Sequence, residues 1–199
     1  MNRYFDINEI VKEDSLDLPR NKSGLIAEKF INLHYEKVES IKQLTGRIPL
    51  PGEIYFLWTI NSFNAFTFIP FIIKECGNIS ELIISTYSIN IRIIDALIKL
   101  IDRARIHHVE IFISDSIKSR LPKVFDHLSA QVEKRGSVIG VHYAWNHSKI
   151  ALIRSGDAYF DVEGSGNWGE NAQHEQYIFL NSRKVFEFRK NEILHGSDT

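Results

Sequence analysis

From Asn146 to Gln176 the chain reads NHSKIALIRSGDAYFDVEGSGNWGENAQHEQ, a run in which groups able to act on a substrate stand between apolar residues. His147 and Lys149 are two apart, which on an extended chain turns both side chains to one face. Gly164, Ser165 and Asn167 follow a charged turn, and Glu175 comes after them. A neutral imidazole is a nucleophile and an imidazolium is an acid, so histidine can serve both halves of a displacement. Lys149, Asn167 and Ser165 are donors for oxygens on which negative charge develops. Glu175 can accept from the ring nitrogen of His147 that does not react and so hold the tautomer. Together these residues make up a nucleophile, donors for an anion and an acid.

Taken alone, a His-x-Lys pair carries little weight in a chain with eight histidines, and Gly-Ser-x-Asn is also an ordinary turn. The order of the groups, and the elements around them, carry the signal. Residues 1–20 have no clear period and read as an arm. From Ser23 to Leu44 the spacing of Ile26, Phe30, Leu33, Val38, Ile41 and Leu44 predicts an amphipathic helix, so residues 1–50 form an N-terminal extension to a domain over 51–199. In that domain EIYFLWTI, ELIISTYS and HVEIFISD read as buried strands. Each is followed by a helix: FNAFTFIPFIIKEC, INIRIIDALIKLIDRAR and SIKSRLPKVFDHLSAQVEKR. Three such alternations predict an α/β fold with a mixed, largely parallel sheet flanked by helices. Ser62, Ser88 and Ser116 stand where these strands end. They read either as helix caps or, with Ser88 as a substrate contact, as the rim of a site at the carboxyl ends of the strands. SVIGVHYAW, HSKIALIRS, AYFDVEG and EQYIFLN then predict further strands, with SGD as a hairpin turn, before a final helix over SRKVFEFRKNEIL capped by Ser182.

The chain has 199 residues, 44% of them hydrophobic and 25% charged, with a net charge of -1, so no global field draws it to a polyanion. Its one cysteine, Cys76, reads as a small buried hydrophobe, and a single cysteine excludes an internal disulfide. The N-terminus lacks a basic start followed by an apolar run, and the most apolar window is broken by Asn61, Asn64 and Pro70. A cytoplasmic protein without membrane insertion is expected. His107 and His108 are adjacent and lack a further ligand, so no metal and no cofactor are expected.

The series His147-x-Lys149, then Gly164-Ser165-x-Asn167, then Glu175 resembles the signature of the phospholipase D superfamily, and the order of elements from about Glu53 to Ile193 resembles one half of that fold. A single copy of the motif is similar to the short, dimeric bacterial endonuclease type. The resemblance implies one half-site per chain, a homodimer, and a metal-independent phosphodiesterase acting on nucleic acid through a phosphohistidine. The alternatives are a catalytically impaired binding module of the same fold and a phospholipid phosphodiesterase. Catalytic roles fall to His147, Lys149, Asn167 and Glu175, and substrate contacts to Gly164, Ser165, Trp168 and Ser88. Trp168 reads as packing or as groove lining, and Arg154, Arg183, Lys184, Arg189 and Lys190 as a basic rim or a solvated face. The chain departs from the signature at Arg154, five residues after Lys149, where the family carries an acid.

Overall fold

A computed structural model describes residues 30, 32–60, 64–169 and 174–195. Strands run over Asn32–Val38 (β1), Glu53–Thr59 (β2), Glu81–Thr86 (β3), Val109–Ser114 (β4), Ile139–Ala144 (β5), Ile150–Ser155 (β6), Ala158–Gly164 (β7) and Gln176–Asn181 (β8). Helices run over Phe68–Cys76 (α1), Ile91–Asp102 (α2), Ile117–Arg120 (α3), Pro122–Arg135 (α4) and Arg183–His195 (α5). Leu82, Ile83 and Ile84 of β3 and Leu152 and Ile153 of β6 are fully buried, as continuous apolar strands covered on both faces must be.

All eight strands join one sheet in the order β1-β2-β8-β7-β6-β3-β4-β5. The pairs β1/β2, β3/β4 and β4/β5 are parallel, whereas β2/β8, β8/β7, β7/β6 and β6/β3 are antiparallel. The sheet is therefore mixed and mostly antiparallel, not largely parallel. The late strands β6 to β8 do not extend one edge: they insert as an antiparallel block between β2 and β3.

Helices α1, α2 and α4 bury Phe68, Ile72, Ile94, Leu97 and Leu128 against one face together with Ile84, Ile111 and Phe179. On the other face Phe186 of α5 packs with Ile83, Leu152 and Ile150. α5 covers the middle of that face only, and Tyr35 of β1 and Trp58 of β2 remain 74% and 48% exposed.

Three readings change. The predicted helix from Ser23 to Leu44 begins outside the described residues, and where the chain is described it is strand β1 followed by a short 3₁₀ turn at Ile41–Leu44. The apolar spacing is irregular there, and the open edge of β2 takes the segment into a ladder from Asn32↔Glu53 to Val38↔Thr59. The helix after β4 is split, because Pro122 lacks an N–H and restricts Leu121, which sits at φ -136° and ψ 59° between α3 and α4. Cys76 is exposed at the end of α1 and not buried. The predicted cap Ser182 holds, accepting from Val185 N at 3.3 Å. Ser62 lies outside the described residues, and α2 is capped by Asn90, whose Oδ1 accepts from Ile93 N at 2.9 Å.

Candidate active site

The carboxyl ends of β2, β3, β4 and β5, the end of β7 and the starts of β6 and β8 all lie along one end of the sheet. This brings His147, Lys149 and Ser165 around one cleft of about 490 Å³, lined also by Ser148, Ile150, Glu163, Gly164 and Arg189. A crevice at strand ends is where α/β sheets present ligands.

His147 and Lys149 sit just before β6, on a segment held by their even-numbered neighbours. Asn146 Nδ2 donates to Ser85 Oγ and to the Phe112 carbonyl, both at 2.9 Å. Its Oδ1 accepts from Ser148 N at 2.9 Å and from Ser148 Oγ at 2.8 Å, and the Ser85 hydroxyl in turn donates to Ser148. The segment is thereby pinned across β3 and β4, with Asn146 and Ser148 inward and His147 exposed. Sequence reasoning missed these two residues. Their signal is the alternation itself, since polar residues that face inward beside His147 need partners.

Lys149 Nζ donates to the His147 carbonyl at 2.8 Å and lies 3.3 Å from Nδ1 of the same ring. An ammonium has no lone pair, so Nδ1 is the acceptor. Partial burial lowers the pKa of Lys149, and the charge of Glu175 offsets this. Glu175 is fixed at the mouth of β8: its N–H donates to Thr59 Oγ1 at 2.9 Å and its carbonyl accepts from Thr59 N at 2.8 Å. The Ser165 hydroxyl donates to the Glu175 carboxylate and also accepts from Gln176 N at 3.2 Å. The carboxylate expected on His147 is thus engaged by Ser165 in this arrangement.

Gly164 lies where β7 and β8 come closest. A Cβ there would stand 2.4 Å from Tyr177 Cδ1 and 2.5 Å from the Gln176 carbonyl oxygen, so no side chain fits. Its N–H donates to the Lys149 carbonyl at 3.2 Å. Asn167 is half-buried, and its Oδ1 is buried without a partner among the described residues.

Trp168 is fully buried and meets Phe66 edge to face, so it is floor and cannot stack on a ligand in the groove. Ser88 contributes its carbonyl, which accepts from Trp168 N at 3.1 Å and ties the 165–169 turn to the end of β3.

The expected basic rim is largely neutralised. Arg189 pairs with Glu163 at 2.5 and 2.9 Å, Lys190 with Glu81 at 2.6 Å, and Arg154 and Arg183 both lie over Tyr159. Arg154 occupies the far half of β6, five residues from Lys149, about 17 Å along an extended strand. On the strand beside it Asp161 is fully buried, with both carboxylate oxygens unpartnered among the described residues. Burial, and secondarily the negative charge of Glu163, raise its pKa well above the usual carboxylate range.

No family model matches the chain, and neither does any curated protein. Among solved structures it is similar to polyphosphate kinase from Porphyromonas gingivalis, at 15% identity and a TM-score of 0.52, over 78% of this chain and 29% of that one. It is also similar to phosphatidylserine synthase of Haemophilus influenzae Rd KW20, at 14% identity and a TM-score of 0.45, over 76% of this chain and 42% of that one. The chain thus spans less than half the length of either. At this level of identity the likeness to polyphosphate kinase is one of fold alone. Among the described residues no helix is long and apolar enough to cross a membrane.

Proposed function

We propose that the chain is a metal-independent phosphodiesterase of phospholipase D type, a nuclease whose site is completed by a second copy. The observation that carries this reading is the convergence of His147, Lys149 and Ser165 on one cleft at the end of the sheet, with Glu175 bonded to Ser165 at its mouth. The fold neighbour named as a polyphosphate kinase supports phosphoryl transfer as the chemistry.

In this scheme a substrate phosphate draws the Lys149 ammonium away from Nδ1 of His147 and uncovers a ring lone pair. The nitrogen attacks phosphorus, the bond to the leaving oxygen breaks, and His147 of the partner subunit gives that oxygen a proton. Water then attacks the phosphohistidine, yields its proton to the partner's His147 and releases the phosphate ester, which restores both rings. Lys149, Ser165 and Asn167 hold the non-bridging oxygens, and Glu175 accepts from the ring nitrogen that stays protonated. One histidine cannot be nucleophile and acid in the same step, which is the argument for the dimer. The sheet face that α5 leaves bare, with Tyr35 and Trp58, offers a surface for the second copy.

The test is hydrolysis of bis-p-nitrophenyl phosphate, single-stranded DNA and RNA in EDTA, with His147→Ala as control and the mass in solution measured alongside. Turnover lost in the variant, by a dimer, is the expected result. Intact substrate throughout would leave the second reading, a binding module of the same fold, which the engagement of Glu175 by Ser165 and of Lys149 by His147 favours.

A further inference from the structure

On one flank His147 meets groups that the scheme above does not use. The Tyr87 ring lies 4.8 Å from the His147 ring, centroid to centroid, inclined at 50°. The guanidinium carbon of Arg120 lies 4.3 Å from the centre of that same Tyr87 ring. These two contacts place the guanidinium no farther than about 9 Å from the His147 ring. A polynucleotide spaces its phosphates a few ångströms apart along each strand, so a group within this bound can meet a phosphate beside the one at His147.

Arg120 is built into this position. It closes α3 at the carboxyl end of β4, and its Nε donates to Ser116 Oγ at 3.2 Å, itself 2.8 Å from Ser114 Oγ. The side chain is exposed, and among the described residues no carboxylate pairs with it. Stacking on an aromatic face fixes the plane of a guanidinium while leaving its outer N–H groups free for an anion. The contrast with the rest of the rim is direct, since Arg189 and Lys190 are bound to carboxylates. Lys118, on the same short helix, lies over Tyr143 and adds a second positive charge to this flank.

We propose that Arg120, held against Tyr87, forms a second anion subsite that takes the backbone phosphate next to the scissile one, so that the site selects polynucleotides over isolated diesters. The inference rests on the phosphodiesterase reading. A guanidinium grips phosphate through two parallel N–H donors, which an ammonium cannot do, so lysine is a partial substitute at best.

The experiment compares the unaltered chain, Arg120→Ala and Arg120→Lys on an eight-residue oligothymidylate and on the dinucleotide TpT, which has one phosphate only. In Arg120→Ala, kcat/KM for the oligonucleotide falls about tenfold further than for TpT, mainly through KM. The slope of log affinity against log salt becomes shallower by about 0.7, the loss of one phosphate contact on a single strand. Arg120→Lys recovers part of both. An equal effect on the two substrates, or none on either, overturns the subsite. If the unaltered chain cleaves neither substrate, the phosphodiesterase reading fails by itself. The subsite is then read by anisotropy of labelled oligothymidylate on His147→Ala with and without Arg120→Ala: weaker binding and a shallower salt slope support it, and equal affinity overturns it.

Discussion

Lys149 holds its own nucleophile candidate: its Nζ donates to the His147 carbonyl at 2.8 Å and covers Nδ1 of the ring at 3.3 Å. In the proposed scheme the lysine has to remain protonated to move from the ring to a substrate oxygen. Its pKa is lowered chiefly by burial. Activity is therefore lost as pH rises through a value below the ordinary lysine range. We expect the alkaline limb of kcat/KM to lie there, Lys149→Arg to carry it upward, and Lys149→Ala to lower kcat by about a hundredfold or more. A limb that stays in place in Lys149→Arg would assign it to another group.

In the proposed scheme Asn146 acts only through the segment it pins. In Asn146→Ala, Ser85, Phe112 and Ser148 each lose a partner, a loss of about 1–3 kcal/mol and a lower Tm by several degrees. The displacement of His147 lowers kcat by about a hundredfold with a smaller change in KM. Asn146→Asp gives no rescue, because a carboxylate cannot donate to the Phe112 carbonyl. Rescue by aspartate would count against this role.

Gly164 admits no side chain beneath Tyr177. Gly164→Ala forces β7 from β8 and destabilises the fold by about 1–3 kcal/mol, read as a fall in Tm. A Tm within a degree of the unaltered chain would mean that the two strands part here freely.

Asp161 has its pKa raised by burial, so its neutral form is the one the fold accommodates. Its contribution to stability is complete below the unfolded carboxylate value and is lost as pH rises through the raised folded value. Asp161→Asn keeps the shape without the charge and flattens the decline of Tm as pH rises from the unfolded carboxylate value to the raised folded one. Parallel curves for the two proteins would refute the assignment.

Arg154 stands where the phospholipase D signature has an acid, yet it lies about 17 Å along β6 from Lys149 and rests on Tyr159. Arg154→Asp accordingly changes kcat less than twofold. A large gain would show that the site reaches much farther along the strand.

What was legible in the sequence follows from local physics. β2, β3, β4 and the helices after β2 and β3 were marked by compact apolar runs with a change of period, and the hairpin from β6 to β7 by its turn. β1 was not, because Leu33 and Tyr35 take their place from the open edge of β2, a partner that no local pattern reveals. Sheet direction failed for the same reason: the insertion of β6 to β8 between β2 and β3 is a choice among distant edges. Within the site, the order of His147, Lys149, Gly164, Ser165, Asn167 and Glu175 was readable, whereas Tyr87 and Arg120 join it only through the juxtaposition of β3 and β4 with β6. Trp168 could be packing or groove lining by its sequence, because its neighbour Asn167 is polar, and tertiary packing buries it.

The paired hydrogen bonds between Thr59 and Glu175 join positions 116 residues apart. Closing so long a loop is entropically slow, and β8 fills the place between β2 and β7. The glutamate before β8 is thus delivered after every other strand of this sheet in chain order, among the described residues. A nascent or truncated chain that ends before Glu175 carries His147 and Lys149 without their counterpart and leaves β2 and β7 as two bare sheet edges, so the proposed site is disarmed until β8 has been made.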